Sequence, residues 1–125
     1  MGDTPNPHRG EVEIQLGGKT YVMRPTFEAI VEAETRTGLG LVTMASKAAV
    51  ADLSLSHFTW IIVSGLKASG EDATYKTVGP MVFEAGIESV HQPVVDYLTN
   101  ALNGGKPMGE AKAPGEGKTG TTTGA

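Results

Sequence analysis

The sequence predicts an α+β fold: an N-terminal two-stranded β-hairpin packed on about five short α-helices, followed by a disordered C-terminal tail. A hairpin pattern around a Gly-Gly pair fills residues 11–24, and five segments with helical spacing of apolar residues follow it. From residue 104 onward the chain is rich in glycine and holds almost no large apolar side chain, as is typical of a linker or tail. We therefore divide the chain into a flexible arm over residues 1–10, a domain over 11–103 and a tail over 104–125.

The register of the hairpin follows from its turn. A type I′ turn needs positive φ at both central positions, which Gly17 and Gly18 adopt without steric cost. Alternate residues of a strand point to the same side, so this turn gathers four large side chains on one face and sets Glu11 opposite Arg24. The four residues are Val12, Ile14, Tyr21 and Met23. Because a lone two-stranded ribbon is marginal in water, we expect the next helix to cover that face.

The first helix is predicted between Pro25, which ends the second strand, and Gly38, a natural left-handed residue after a helix end. Thr26 can accept hydrogen bonds from the first free amides of this helix. Glu28 lies in the first turn, where the helix dipole favours negative charge. Helical spacing predicts that Phe27, Ile30 and Val31 face the core and that Glu28, Glu32 and Arg36 face solvent.

Two further helices are predicted in the middle of the chain. A short alanine-rich helix follows Gly40, and its inner side is formed by Leu41, Met44, Ala45 and Ala48. A third helix runs from Ser54 to about Ser69 and is apolar on most of its circumference, which predicts a central position in the domain. The aromatic residues that we interpret as core residues are Phe58, Trp60 and Tyr97.

Both of the last two helices contain a proline. The fourth helix begins after Thr74 and ends at Gly86, and Pro80 within it predicts a kink or a late start. The fifth helix is predicted from about Ser89 to Asn103. Pro93 then falls close to the first turn, where a missing amide is best tolerated.

Composition disfavours several classes of protein. The 125 residues include no cysteine, so disulfides, thiolate nucleophiles and cysteine metal sites are impossible. The net charge of −4 argues against a general nucleic-acid binder. The first residues lack the apolar core of a signal peptide, and no apolar run approaches the roughly 18 residues that span a bilayer. We expect a cytoplasmic protein whose partners are neither nucleic acids nor membranes.

Each candidate for catalysis or metal binding fails a spacing requirement. The segment GEGKTG, residues 115–120, is similar to a phosphate-binding loop, but that loop requires a glycine where this chain has Lys112. A nucleophile elbow requires a glycine two residues before its serine, which Ser64 lacks. We interpret Ser64 as a helix-packing serine. The histidines, none of which lies four residues from another, are His8, His57 and His91. We expect no enzymatic activity, no cofactor, no metal and no small-molecule substrate.

Three stretches of the chain together resemble one family. They are NPHRGEVEIQLGGKTYVMRPTFEAIVEAETRTGLGL, FTWIIVSGLKASG and VGPMVFEAG. In order they give an RGE-led hairpin, an RPTF entry to the first helix, an E-x-x-T-G-x-G-L helix end and a later EAG turn. This order resembles the phage tail assembly chaperone-like family of gene transfer agents and siphophages, over about residues 6–103. The matching positions are Arg24, Pro25, Thr26, Phe27, Glu34, Thr37, Gly38, Glu84, Ala85 and Gly86.

The resemblance implies a protein-binding role in tail morphogenesis. Members of that family are thought to coat the tape-measure protein and to deliver tail-tube subunits around it. It therefore implies the tape-measure and tail-tube proteins as partners of a tail assembly chaperone. Self-association is a further option, because we expect a domain of this size to have modest stability. The alternative is a structural subunit that stays in the tail, as a tube or connector component. A helical DNA-binding regulator is disfavoured because the chain has no basic recognition helix.

Two narrower expectations concern particular segments. Glu28 and Glu32, together with Glu34, make the first helix acidic, and the first two could form a solvated face, share a cation or contact a partner. We assign them to partner binding as a hypothesis. The glycine-rich tail would link a second module in a frameshifted form, because the codons for Gly105-Lys106 and Gly117-Lys118 could each contain a slippery heptamer.

Overall fold

A computed structural model of the chain describes residues 9–107. His8, the GEGKTG segment and most of the predicted tail lie outside the described residues. Within residues 9–107, a two-stranded antiparallel sheet is followed by five helices, which confirms the predicted α+β class. The elements are β1 (Val12–Leu16), β2 (Lys19–Met23), α1 (Phe27–Thr37), α2 (Leu41–Ala49), α3 (Leu55–Ala68), α4 (Tyr75–Ala85) and α5 (Ile87–Leu102).

The hairpin has the predicted register. Val12 pairs with Met23 and Leu16 pairs with Lys19, and the turn glycines have φ of 59° and 76°. Arg24 Nε lies 3.9 Å from a carboxylate oxygen of Glu11, as expected for residues on opposite strands. The pairing pattern and the turn residues were therefore sufficient to predict this element.

The hairpin does not pack mainly on the next helix in the chain, contrary to the expectation from the sequence. Strand β2 packs mainly on α3 and strand β1 mainly on α5, whereas α1 packs on α3. The reason lies at Gly65, where an added Cβ would be 2.8 Å from the Cβ of Met23. Because glycine has no side chain, β2 approaches the backbone of α3 closely, and the Arg24 amide donates to the Gly65 carbonyl at 3.0 Å. The ribbon is thus held by helices that come much later in the chain.

Helix α1 buries a different face from the one that the sequence predicts. Its buried residues are Ala29, Ile30 and Ala33. Phe27 is 78% exposed and Val31 is 40% exposed, so the expectation that both face the core is wrong. The two alanines let α1 lie close against α3, and a helix in close contact on that side turns positions 27 and 31 away from it.

Helix α3 is the centre of the domain, as predicted. It contacts α1, α4, α5 and β2, and all residues from Phe58 to Leu66 except Trp60 are buried. The buried hydroxyl of Ser64 donates to the Trp60 carbonyl at 2.9 Å, which confirms it as a helix-packing serine. Trp60 is only partly buried and stacks between Tyr75, at 4.7 Å between ring centroids, and the guanidinium of Arg36.

Pro93 lies deeper in its helix than predicted, whereas the fourth helix starts where the sequence predicts. Helix α4 begins directly after Thr74, which forms a capping box with Thr77, so it has no late start at Pro80. Helix α5 begins at Ile87, two residues before the predicted start, and Pro93 is therefore its seventh residue. Gly86, with φ of 90° and ψ of 141°, both ends α4 and starts α5, which leaves no linker between the two helices. No helix in residues 9–107 is both long and apolar enough to span a membrane.

Candidate partner-binding surfaces

The R-P-T-F sequence joins the hairpin to the first helix. Thr26 Oγ1 accepts a hydrogen bond from the Ala29 amide at 3.1 Å, which caps α1. The Arg24 carbonyl accepts from the Thr26 amide at 3.0 Å and from the Tyr97 hydroxyl at 3.3 Å. Pro25 is buried, whereas Phe27 is almost fully exposed. Three of the four positions therefore serve the fold, and the fourth presents an aromatic ring at the surface.

The E-x-x-T-G segment at the end of α1 builds the joint to α2. Gly38 has φ of 76° and its amide donates to the Glu34 carbonyl at 2.8 Å. A carboxylate oxygen of Glu34 accepts from the Leu41 amide at 2.9 Å, so it caps α2, whose own N-cap residue Gly40 has no side chain. Thr37 Oγ1 donates to the Ala33 carbonyl and accepts from the Leu39 amide. The joint explains Glu34, Thr37 and Gly38 as structural positions.

Tyr97 is a buried ionisable residue whose pKa differs from its usual value. Its side chain is fully buried, and burial, with a smaller contribution from the negative charge of Glu32, raises the pKa of Tyr97 above its usual value. Its hydroxyl reaches the Arg24 carbonyl, and its ring lies 3.1 Å from where a Cβ of Gly65 would stand. This tyrosine therefore ties α5 to the strand-to-helix connection.

The two acidic residues that we assigned to partner binding have different surroundings. A carboxylate oxygen of Glu32 lies 3.0 Å from Lys67 Nζ and 3.9 Å from Arg36 Nε, and its side chain is 24% exposed. Glu28 is exposed and makes no ion pair with any residue in 9–107. Glu32 thus links α1 to α3, whereas Glu28 is the one whose carboxylate is open to a partner.

The first candidate surface, which we call the α1 surface, surrounds Phe27. This ring and Val31 lie one helical turn apart on the outer side of α1. Beside Phe27 is a depression of about 220 Å³. It is lined by Pro25, Thr26, Phe27, Ile30, Leu41, Ala101, Gly104 and Gly105. Helical spacing predicted that Phe27 and Val31 face the core. Ala29, Ile30 and Ala33 also share one side of the helix, and burial of that side would have predicted that Phe27 and Val31 are exposed.

The second candidate surface, which we call the α4 surface, lies between α3 and α4. Phe83 is 71% exposed, and Leu55 and Tyr75 are each 39% exposed. Together they border a groove of about 550 Å³. It is lined by Leu55, Thr59, Tyr75, Lys76, Gly79, Pro80 and Phe83. A groove of this size with aromatic walls is suited to apolar side chains of another polypeptide.

Within residues 9–107, the other candidate residues lie on different elements. No group of three or more histidine and acidic residues able to hold a metal occurs in 9–107. His91 Nε2 lies 2.7 Å from the Ala48 carbonyl and connects α5 to the end of α2. His57 Nδ1 is buried near the start of α3 and has no hydrogen-bond partner in the described part of the chain. Glu84 is exposed on α4, and Gly86 forms the joint to α5.

Comparison with known proteins identifies the family. No curated protein and no solved structure matches the chain. A family model described as "Phage tail tube protein, GTA-gp10" matches residues 9–104, which includes the hairpin and the five helices described above. The matched stretch is more than three quarters of the chain. The chain therefore belongs to this family of phage and gene transfer agent tail proteins.

Proposed function

We propose that this protein is a structural subunit of the tail tube of a phage-like particle or gene transfer agent. The family description carries the proposal, because it names a tail tube protein. The two exposed apolar surfaces support it. A subunit repeated along a tube must offer different surfaces to successive neighbours, and the α1 and α4 surfaces lie on different helices. The role requires protein contacts alone, with no catalysis, cofactor, nucleic acid or membrane.

One feature of the surface favours a second candidate, the tail assembly chaperone. A chaperone would shield the apolar stripe of a long tape-measure helix in the host cytoplasm until tube subunits close around it. The groove of the α4 surface, between Leu55 and Phe83, has the mostly apolar lining that binding of an amphipathic helix requires. In this role the protein binds the tape-measure and tail-tube proteins only during assembly.

Quantitative mass spectrometry of purified particles separates the two roles. A tube subunit is expected in many copies per particle, in a fixed ratio to the other tube components. A chaperone is expected to be absent from finished particles, although deletion of its gene abolishes tails. Absence of the protein from particles with normal tails would contradict the proposed role as a tube subunit.

We also propose that Glu28 contacts the partner in either role. Reversal of its charge, Glu28→Lys, is expected to weaken binding to tail components, since this carboxylate has no partner within residues 9–107. Glu32→Lys also breaks the contact with Lys67, so its effect on binding must be compared with its effect on stability. Co-purification with tail proteins measures binding, and unchanged recovery of the Glu28 variant would refute the contact.

A further inference from the structure

We propose that helix α4 forms the centre of a two-fold interface between two copies of this chain. The starting observation is the outer side of α4, which we call the α4 face and which adjoins the α4 surface. Residues at positions i, i+4, i+7 and i+8 of a helix share one side, and on α4 these are Lys76, Pro80, Phe83 and Glu84. The structure exposes every one of them, while Val78 and Val82 on the opposite side are buried.

The middle of this face is apolar. Phe83 is 71% exposed, and the groove beside it continues to Leu55 and Tyr75 on the edge of the same surface. Removing an aromatic ring of this exposure from water is favourable. The face therefore gains from contact with a second apolar surface.

The charges on either side of the apolar middle specify what that second surface is. Lys76 and Glu84 lie eight residues apart, about 12 Å along the helix axis, with Pro80 midway between them. If two α4 helices pack antiparallel about Pro80, each Lys76 lies opposite the Glu84 of the second copy. The two-fold axis thus gives two such pairs of opposite charges, one on each side of Pro80.

Neither charge is used inside the domain. Among residues 9–107, Lys76 and Glu84 take part in no ion pair and no side-chain hydrogen bond. The chain has a net charge of −4, so two copies repel each other over most of their surfaces. The α4 face, with one positive and one negative residue around an apolar centre, is neutral and complementary to itself.

The interface is small, which sets its strength. Helix α4 has 11 residues, so we expect two such helices and their groove edges to bury less than the roughly 1,200 Å² of a stable interface. We expect a reversible dimer with a dissociation constant on the order of 100 μM. The dimer would use the α4 surface that also supports the tube role, so the two contacts exclude each other, and the dimer is a property of the isolated protein.

Sedimentation equilibrium of the full chain over about 10 μM to 1 mM tests the proposal. The wild type is expected to show a monomer–dimer equilibrium, and Phe83→Ser is expected to weaken it at least tenfold. Phe27→Ser is the matched control, because Phe27 has a similar exposure, 78% against 71% for Phe83, but lies on α1. Circular dichroism confirms that each variant is folded.

Charge exchange identifies the geometry. Lys76→Glu and Glu84→Lys each replace two attractions by two repulsions, so each is expected to weaken the dimer roughly tenfold. The double variant is expected to dimerise like the wild type. An equimolar mixture of the two single variants is expected to form a heterodimer, since each supplies the charge that the other needs.

Three results would overturn the proposal. The first is a wild type that remains monomeric at about 1 mM, including the case in which its α4 face binds an amphipathic helix of another protein instead. The second is a dimer that the Phe83 or charge variants leave unchanged, or that Phe27→Ser disrupts equally. The third is failure of the mixed single variants to associate.

Discussion

Glu34 shows how a single side chain holds two helices together. Its carboxylate accepts the Leu41 amide at 2.9 Å, where the N-cap glycine of α2 has no side chain to do so. Glu34→Ala is expected to lower the free energy of unfolding by about 1 kcal/mol. Glu34→Gln keeps an oxygen acceptor and is expected to remain close to the wild type. Chemical denaturation measures both, and equal losses would show that the hydrogen bond is not what stabilises the joint.

Tyr97 makes stability depend on pH at the alkaline end. Its folded-state pKa is raised, chiefly by burial, above the value of about 10 in an unfolded chain. The neutral phenol is therefore favoured by folding, and its contribution is complete below pH 10 and lost as pH rises above it. Thermal unfolding between about pH 8 and 11 is expected to show this loss. Tyr97→Phe removes the titrating group, and an equal alkaline loss in this variant would assign the effect to other residues.

At the scale of elements, local signals predicted more than packing did. The Gly17-Gly18 turn determined the register of the hairpin, and Thr26, Ser54 and Thr74 each cap the helix predicted to follow. These features depend on neighbouring residues, so the sequence contains them directly. The exposure of Phe27 and Phe83 depends instead on which helix lies alongside, and helical spacing alone does not specify the neighbour.

The close approach of β2 to α3 is the contact that sequence periodicity could not predict. Gly65→Ala would place a Cβ 2.8 Å from the Cβ of Met23 and 3.1 Å from the Tyr97 ring. We expect it to lower the free energy of unfolding by about 1–3 kcal/mol through overpacking. Gly79→Ala is the matched control, since its Cβ would lie at an ordinary 3.7 Å from Thr59. Denaturation of both variants tests the idea, which fails if Gly65→Ala is the less destabilising one.

At the scale of the molecule, the two ends of the described chain meet beside α5. Asn100 Nδ2 donates to the Gly10 carbonyl at 3.1 Å, and the Gly105 amide donates to the Asn100 carbonyl at 2.9 Å. A Cβ on Gly10 would stand 2.6 Å from the Gly105 oxygen, so the two backbones cross in close contact. The residues that link the domain to both chain ends are thus part of its packing, and Gly105 also lines the depression beside Phe27.

Truncation tests where the folded unit ends. A chain that stops after Pro107 keeps this crossing, so its thermal unfolding is expected to match that of the full chain. A chain that stops after Asn103 loses the Gly105 amide and the contacts of Asn103 Nδ2 with the Lys106 and Pro107 carbonyls. These bonds together are expected to contribute about 1–2 kcal/mol, which lowers the melting temperature by roughly 5–10 °C. Equal melting of the two truncated chains would place the boundary at residue 103, where glycine content alone had put it.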